Sequence, residues 1–328
     1  MATKVWRAIA LSAAVMVAAM LLMPLIGSAR IDYARAFAGV SPDREILFQA
    51  RIPRVLLAGL AGGTLALAGV IFQALLRNAL AEPYTLGIAS GSSLGAVAAI
   101  CFGWEVTANL PAVWVSAFLG AVLTLIVVVG VASEARHLSS FTLLLAGVTI
   151  NSICIALILF LQNLATIGQA FSIMRWLMGG IEVTNYSTIT ALACVVVPAC
   201  AVLFWYARHW NLLAVGEEFA AARGISTSRL MLAGYLSASL ITGCVTALTG
   251  PIGFVGLIVP HALRLRFGAD HRLLIPCSFL LGAAFLAICD TLARTILAPT
   301  EVPVGVITAL MGGPFFLWLL RHRRSVWR

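Results

Sequence analysis

Charged side chains cut this sequence into long apolar stretches at nearly regular intervals. With His counted as a boundary, the uncharged runs are 8–29, 55–76, 83–104, 106–133, 138–174, 183–207, 230–260, 273–289 and 302–320. Each is 17 residues or longer, and about 20 helical residues cross a hydrocarbon core of about 30 Å. None shows the period-2 alternation of a membrane β-strand. Because lipid offers no partner to backbone N–H and C=O groups, such runs predict helices, and the chain reads as an all-α membrane protein with one domain over 1–328.

The charges between the runs set an orientation. If residue 1 is cytoplasmic, Arg30, Arg35, Arg44, Arg51, Arg54, Arg175 and Arg294 fall outside, and the other 14 of the 21 Lys and Arg residues fall inside, Arg136, Arg323, Arg324 and Arg328 among them. This asymmetry predicts two cytoplasmic termini. Two inner ends need an even number of crossings, whereas nine runs give an odd one. The run 230–260 resolves the parity, since Gly250-Pro251-Ile252-Gly253 breaks it and a short helix can return over 254–266. The expected bundle has ten transmembrane helices.

Composition agrees. The chain is 62% hydrophobic and 10% charged, with a mean hydropathy of +1.04, which excludes a soluble globular domain. Its net charge of +9 is scattered through short loops, so nucleic acid is not an expected partner. The first run has 22 uncharged residues, more than the apolar core of a cleaved signal peptide. Seven Cys without a C-x-x-C pair indicate neither a metal site nor a disulfide framework. The spacings Gly59/Gly63 and Gly91/Gly95 are G-x-x-x-G, which lets membrane helices approach closely.

Two loops carry their own structure. Phe171 to Met178 reads as a short interfacial helix before Gly179-Gly180, and the cytoplasmic loop 208–229 as one or two short helices stopped by Gly224.

Several chemistries are missing. A P-loop needs a lysine after glycine, and Lys4, which follows Thr3, is the only lysine. No H-E-x-x-H occurs, and Ser90-Gly91 has the wrong spacing for an intramembrane serine site. His261, beside Pro260, reads as structural rather than as a base. No catalytic or metal-ligating residue is therefore assigned. Asp290 and Arg294, four apart on one helix face, read as an i, i+4 ion pair near the outer interface worth a few tenths of a kcal/mol. Intramembrane ionisable groups are few, so an ion-coupled secondary transporter is the alternative and not the leading reading.

Four segments, in order, carry a resemblance: Arg51-Ile52-Pro53-Arg54 with Gly69 to Gln73 and Arg77-Asn78-Ala79-Leu80-Ala81-Glu82-Pro83; Leu144 to Val148; Asn211 to Gly224 around Gly216-Glu217-Glu218; and Gly250 to Leu257 with Pro260-His261, Arg264, Asp270 to Arg272, Asp290, Arg294, Glu301 to Gly305 and Gly313-Pro314. Together they resemble the FecCD-type permeases of bacterial ABC importers for iron chelates, haem and vitamin B12. Ala79 departs from the proline usual there. The resemblance implies a ten-helix, type II ABC importer permease bundle in the bacterial cytoplasmic (inner) membrane. It implies a second permease subunit, in a homodimer, two ABC ATPase subunits that use ATP and Mg, and an extracytoplasmic substrate-binding protein, with no cofactor on this chain. By the same resemblance Arg51, Arg54 and Arg294 dock the binding protein. Leu213, Gly216, Glu217, Glu218, Ala221 and Gly224 couple to the ATPase, and Asn78, Leu80, Ser140 and Phe141 form the cytoplasmic gate. It does not choose among an iron-siderophore, haem and a corrinoid as cargo.

Overall fold

A computed structural model describes residues 2–104, 111–133 and 139–322. Arg136, Arg323, Arg324 and Arg328, assigned above to the inner face, lie outside the described residues. The chain runs through α1 (Ala2–Leu22), α2 (Tyr33–Phe37), α3 (Asp43–Glu45), a π-helical turn (Ile46–Arg51), α4 (Ile52–Leu75), α5 (Ile88–Cys101), α6 (Ala112–Ser133), α7 (Ser140–Leu164), α8 (Ile167–Leu177) and α9 (Tyr186–Trp205). It continues through α10 (Ala207–Val215), α11 (Glu217–Ala222), α12 (Thr227–Thr249), α13 (Val255–Phe267), α14 (His271–Thr295) and α15 (Val304–His322). No strand occurs among the described residues.

Among the described residues seven helical segments are long and apolar enough to cross a membrane: Val5–Leu25, Asp43–Leu75, Ala112–Ala132, Ser140–Leu164, Tyr186–Trp205, Thr227–Thr249 and His271–Thr295. Ile88–Cys101 and Val304–Leu319 are shorter apolar helices. Run 83–104 yields only the 14 residues of α5, about 21 Å of helix, because Pro83 to Gly87 form a turn that ends at a left-handed Gly87. Run 138–174 holds two elements. A capping box between Thr166 and Gln169 starts α8 after α7 has ended at Leu164, which satisfies the free N–H groups of the new helix. The break in run 230–260 falls where the glycines and Pro251 put it, with α12 ending at Thr249 and α13 starting at Val255.

α4 is the centre of the bundle. Protein buries 89% of the apolar window of Asp43–Leu75, against 17% for Tyr186–Trp205, so α4 is enclosed while α9 keeps most of its apolar surface for lipid. Small residues allow this. A Cβ on Gly62 would lie 2.3 Å from Gly282 O of α14, so the two backbones touch where neither residue has a side chain. The Gly91/Gly95 spacing packs α5 on α6 in the same way, with Gly91 against Gly120 and Gly95 against Ser116 O. In lipid, contact of this kind is a main source of helix association. His261 packs on the rings of Phe315 and Phe316, as expected of a structural residue.

Candidate functional site

Two arginines meet two acids near the N-terminal end of α4. Arg54 reaches Asp290 of α14 through Nε (3.1 and 3.2 Å) and Nη2 (3.0 Å), and Glu301 through Nη1 (3.1 and 2.9 Å). Arg294 Nε lies 3.2 Å from Asp290 Oδ2, and its Nη2 donates to Thr291 Oγ1 at 3.1 Å. Side-chain exposure is 0% for Asp290, 6% for Arg294, 11% for Arg54 and 49% for Glu301. The expected i, i+4 pair between Asp290 and Arg294 is present, but it is buried, so a few tenths of a kcal/mol understates it. It belongs to a buried triad in which one carboxylate is shared by two guanidinium groups, and removing one partner from such a cluster costs about 3–5 kcal/mol.

Arg51 and Arg54, expected to share a face, diverge. Arg51 is the last residue of the π-helical turn. Its guanidinium donates to Ala29 O, to Pro24 O (3.4 Å) and to Tyr33 Oη (3.5 Å). All three expected docking arginines are therefore buried in contacts within the chain. Glu301 is the exposed acid of the group.

At the other end of α4, the gate residues and the loop between α9 and α12 come together. The Asn78 side chain accepts from Leu80 N at 2.9 Å, and Ala81 N donates to Asn78 O at 3.1 Å. These bonds close the turn without the missing proline. Leu80 and Phe141 are exposed, whereas Ser140, in the first turn of α7, is buried. Ser140 Oγ lies 2.6 Å from both Leu75 O and Glu217 Oε1, with one proton for two acceptors. Glu217 Oε1 also accepts from Arg77 Nη2 at 3.2 Å and Ser140 N at 3.4 Å.

The coupling candidates divide in two. Leu213 is in the core and Glu217 turns inward to the gate, while Glu218, Ala221 and Gly224 are exposed and Gly216, in extended backbone, separates α10 from α11. Gly224 stops the short helix with a φ of +80°, a conformation that favours glycine. Val215 and Phe219 also project here, with the Arg223 guanidinium 4.8 Å from the Phe219 ring centroid; apolar residues within a short, charged segment between two long runs are the sequence signal for them. α10 is held from below by Asn211, whose Nδ2 donates to Asp270 Oδ1 at 2.8 Å and whose Oδ1 accepts from His271 N at 2.8 Å. Hydrogen bonds from Arg272 and then Asn211 hold the Asp270 carboxyl down to about 2.

Glu82, within the Arg77–Pro83 segment, carries no role that the sequence assigns. It lies buried beside the α12–α13 break, where its Oε2 accepts from Phe254 N at 3.1 Å, and Phe254 has a left-handed φ of +69°. Burial pushes this carboxyl up to about 7, only partly opposed by the Phe254 N–H. Gln73 of α4 secures the other side of the break by donating to Gly256 O at 2.9 Å.

A profile described as the FecCD transport family matches residues 14–322. The chain belongs to the FecCD transport family. This FecCD chain is 40% identical over 283 residues to the hemin transport system permease protein HmuU of Yersinia pestis, covering 86% of this chain and 84% of that protein. It is 43% identical over 282 residues to the cobalamin import system permease protein BtuC of Halobacterium salinarum (83% and 72% covered). Against the vitamin B12 import system permease protein BtuC of Escherichia coli it is 37% identical over 281 residues (85% and 85%). A solved structure described as an inward-facing conformation of a metal-chelate type ABC transporter superposes with a TM-score of 0.83 at 30% identity, covering 97% of this chain and 99% of that one. This FecCD member is an ABC transporter permease subunit, and its family implies separate ATPase subunits.

Proposed function

We propose that this permease imports a bulky metal chelate of the haem, iron-siderophore or corrinoid type, released to it by an extracytoplasmic substrate-binding protein and driven by ATP and Mg on two partner ATPases. Two copies of the chain form the path in the bacterial cytoplasmic membrane, with both termini inside. The observation that carries this reading is α4. One enclosed helix joins the arginine cluster at Arg54 to the gate turn at Arg77, roughly 35 Å apart at 1.5 Å per residue. Taking α5, α13 and α15 as crossings beside the seven long spans makes ten, an even number as two cytoplasmic termini need.

The cargo class follows the names of the hemin and cobalamin relatives. In the arginine cluster Arg54 divides its guanidinium between the buried Asp290 and the half-exposed Glu301, an arrangement suited to acidic residues on the binding protein, with Glu301 as the group an incoming carboxylate displaces. On the inner face, the exposed side chains of Val215, Glu218, Phe219 and Ala221 form the surface for the ATPase. The test is reconstitution. Alone in proteoliposomes, the chain neither hydrolyses ATP nor accumulates cobalamin or haem. With its ATPase and binding protein, uptake of one of these is ATP-dependent. Accumulation driven by a proton or sodium gradient without the ATPase would replace this reading by an ion-coupled carrier.

A further inference from the structure

One carboxylate on α11 touches two other parts of the inner face. Glu217 is the first residue of α11, set off from α10 by the extended Gly216. Its Oε1 accepts from Ser140 N and Oγ at the N-terminal end of α7, and from Arg77 just past the C-terminal end of α4. Each contact has the favourable polarity. A carboxylate sits at the positive end of α7, and a guanidinium follows the negative end of α4. Ser140 Oγ adds a contact to Leu75 O, in the last turn of α4, so α4 and α7 are joined both directly and through Glu217. Arg77 holds a left-handed φ of +48°, uncommon for a residue with a side chain, and the next residue is Asn78, which closes the gate turn.

We infer that Glu217 is a positioning residue that ties the coupling helix α11 to the gate, making the Asn78–Leu80 turn and the Ser140–Phe141 end of α7 move with α11. This rests on the coupling role proposed above for the loop and assigns its internal half. Glu217 does not belong to the ATPase-facing surface. The contacts at 2.6, 3.2 and 3.4 Å leave no slack, since hydrogen bonds weaken steeply beyond about 3.5 Å. A shift of α11 by 1–2 Å, typical of interface helices in switching proteins, therefore either drags the gate along or breaks the tie. Asn211 fastens α10 to the start of α14 by a separate set of bonds, so α10 stays anchored while α11 carries the displacement.

The experiment uses the assembled transporter in proteoliposomes with vitamin B12 and haem as the cargo probes, and reads moles of ATP hydrolysed per mole of cargo imported. The Glu217→Gln chain keeps an acceptor for Ser140 but loses the charge that holds Arg77. It is compared with Arg77→Gln, with the double variant and with Ser140→Ala. Glu217→Gln and Arg77→Gln each raise the ATP-to-cargo ratio about fivefold, and the double variant is no worse than either single one, because both remove the same tie. Glu217→Ala, which also abandons Ser140, raises it further, and Ser140→Ala raises it alone. Co-purification of the ATPase with the Glu217 variants stays at the wild-type level. Additive effects of Glu217→Gln and Arg77→Gln, or loss of the ATPase from the Glu217→Gln complex with Arg77→Gln and Ser140→Ala silent, would overturn the inference and return Glu217 to the outer surface. The coupling reading is tested apart from this, by whether Phe219→Ala releases the ATPase.

Discussion

Replacing Asp290 by Asn tests the arginine cluster with almost no change of shape. The substitution removes the one carboxylate shared by two guanidinium groups whose side chains are 11% and 6% exposed. Arg54 keeps Glu301, which is half in solvent, and Arg294 keeps the Thr291 hydroxyl. Neither compensates a buried charge in full. Breaking a buried ion pair from one side costs about 3–5 kcal/mol, and a chain of this size shifts its Tm by roughly 2 °C per kcal/mol. The Asp290→Asn protein in detergent, followed by its tryptophan fluorescence, should therefore melt about 5–10 °C below wild type. Arg35→Gln is the contrast. It breaks the Arg35–Asp43 pair at 3.4 Å, whose arginine is 55% exposed, and exposed pairs are worth about 1 kcal/mol or less, so its Tm should move by no more than about 2 °C. Replacing the whole triad, with Leu at 290 and Met at 54 and 294, should recover most of the loss, since an apolar substitute for a buried ionic cluster is often neutral or better. An Asp290→Asn protein that melted with the wild type would refute the view that this carboxylate holds the cluster together.

Three further outcomes are expected. Glu301→Gln removes the acid that competes for Arg54, so binding-protein affinity measured by surface plasmon resonance should rise severalfold and its salt dependence steepen; unchanged affinity would separate Arg54 from docking. Phe219→Ala and Val215→Ser, singly, should lower the yield of ATPase co-purified with the chain about tenfold without lowering the Tm, because both side chains are exposed, and full co-purification would place the ATPase surface elsewhere. Glu82 has a folded pKa raised from 4.5 to about 7, so it contributes stability below about pH 4.5 that is lost as pH rises through 7; Glu82→Gln should raise the Tm relative to wild type at pH 8 and match it at pH 4.5, and equal melting at both pH values would mean that the carboxyl ionises without cost.

What the sequence made legible follows from the kind of signal each feature leaves. Helices bounded by charges were visible because a charge in hydrocarbon is costly, and the break at Gly250 to Gly253 was visible because glycine and proline interrupt helices by their backbone chemistry alone. The bend between α7 and α8 was hidden, since its capping box uses uncharged Thr166 and Gln169 inside an uncharged run. The shortness of α5 was hidden because Pro83 to Gly87 form a turn from uncharged residues. At the sites, local sequence carries residue type but not the direction in which a side chain points. Arg54 takes its partner from 236 positions away, and Glu217 turns inward because α7 begins beside it, which no local spacing encodes. Exposure of Phe219 and burial of Leu213 depend on how α10 and α11 lie against the bundle.

The distance in sequence between Arg54 and its acids bears on how the protein is made. Asp290 and Glu301 follow Arg54 by 236 and 247 residues, and at about 5–20 residues per second their synthesis lags by roughly 10–50 s. During that interval α4 has entered the membrane and α14 does not yet exist, so neither the Gly62–Gly282 contact nor the carboxylate is available. Until then the newborn helix must keep Arg54 at the lipid headgroups, where the long side chain can reach water and phosphate. Folding of this end is then a late capture, in which arrival of the last fifth of the polypeptide draws an arginine from the bilayer surface into the protein.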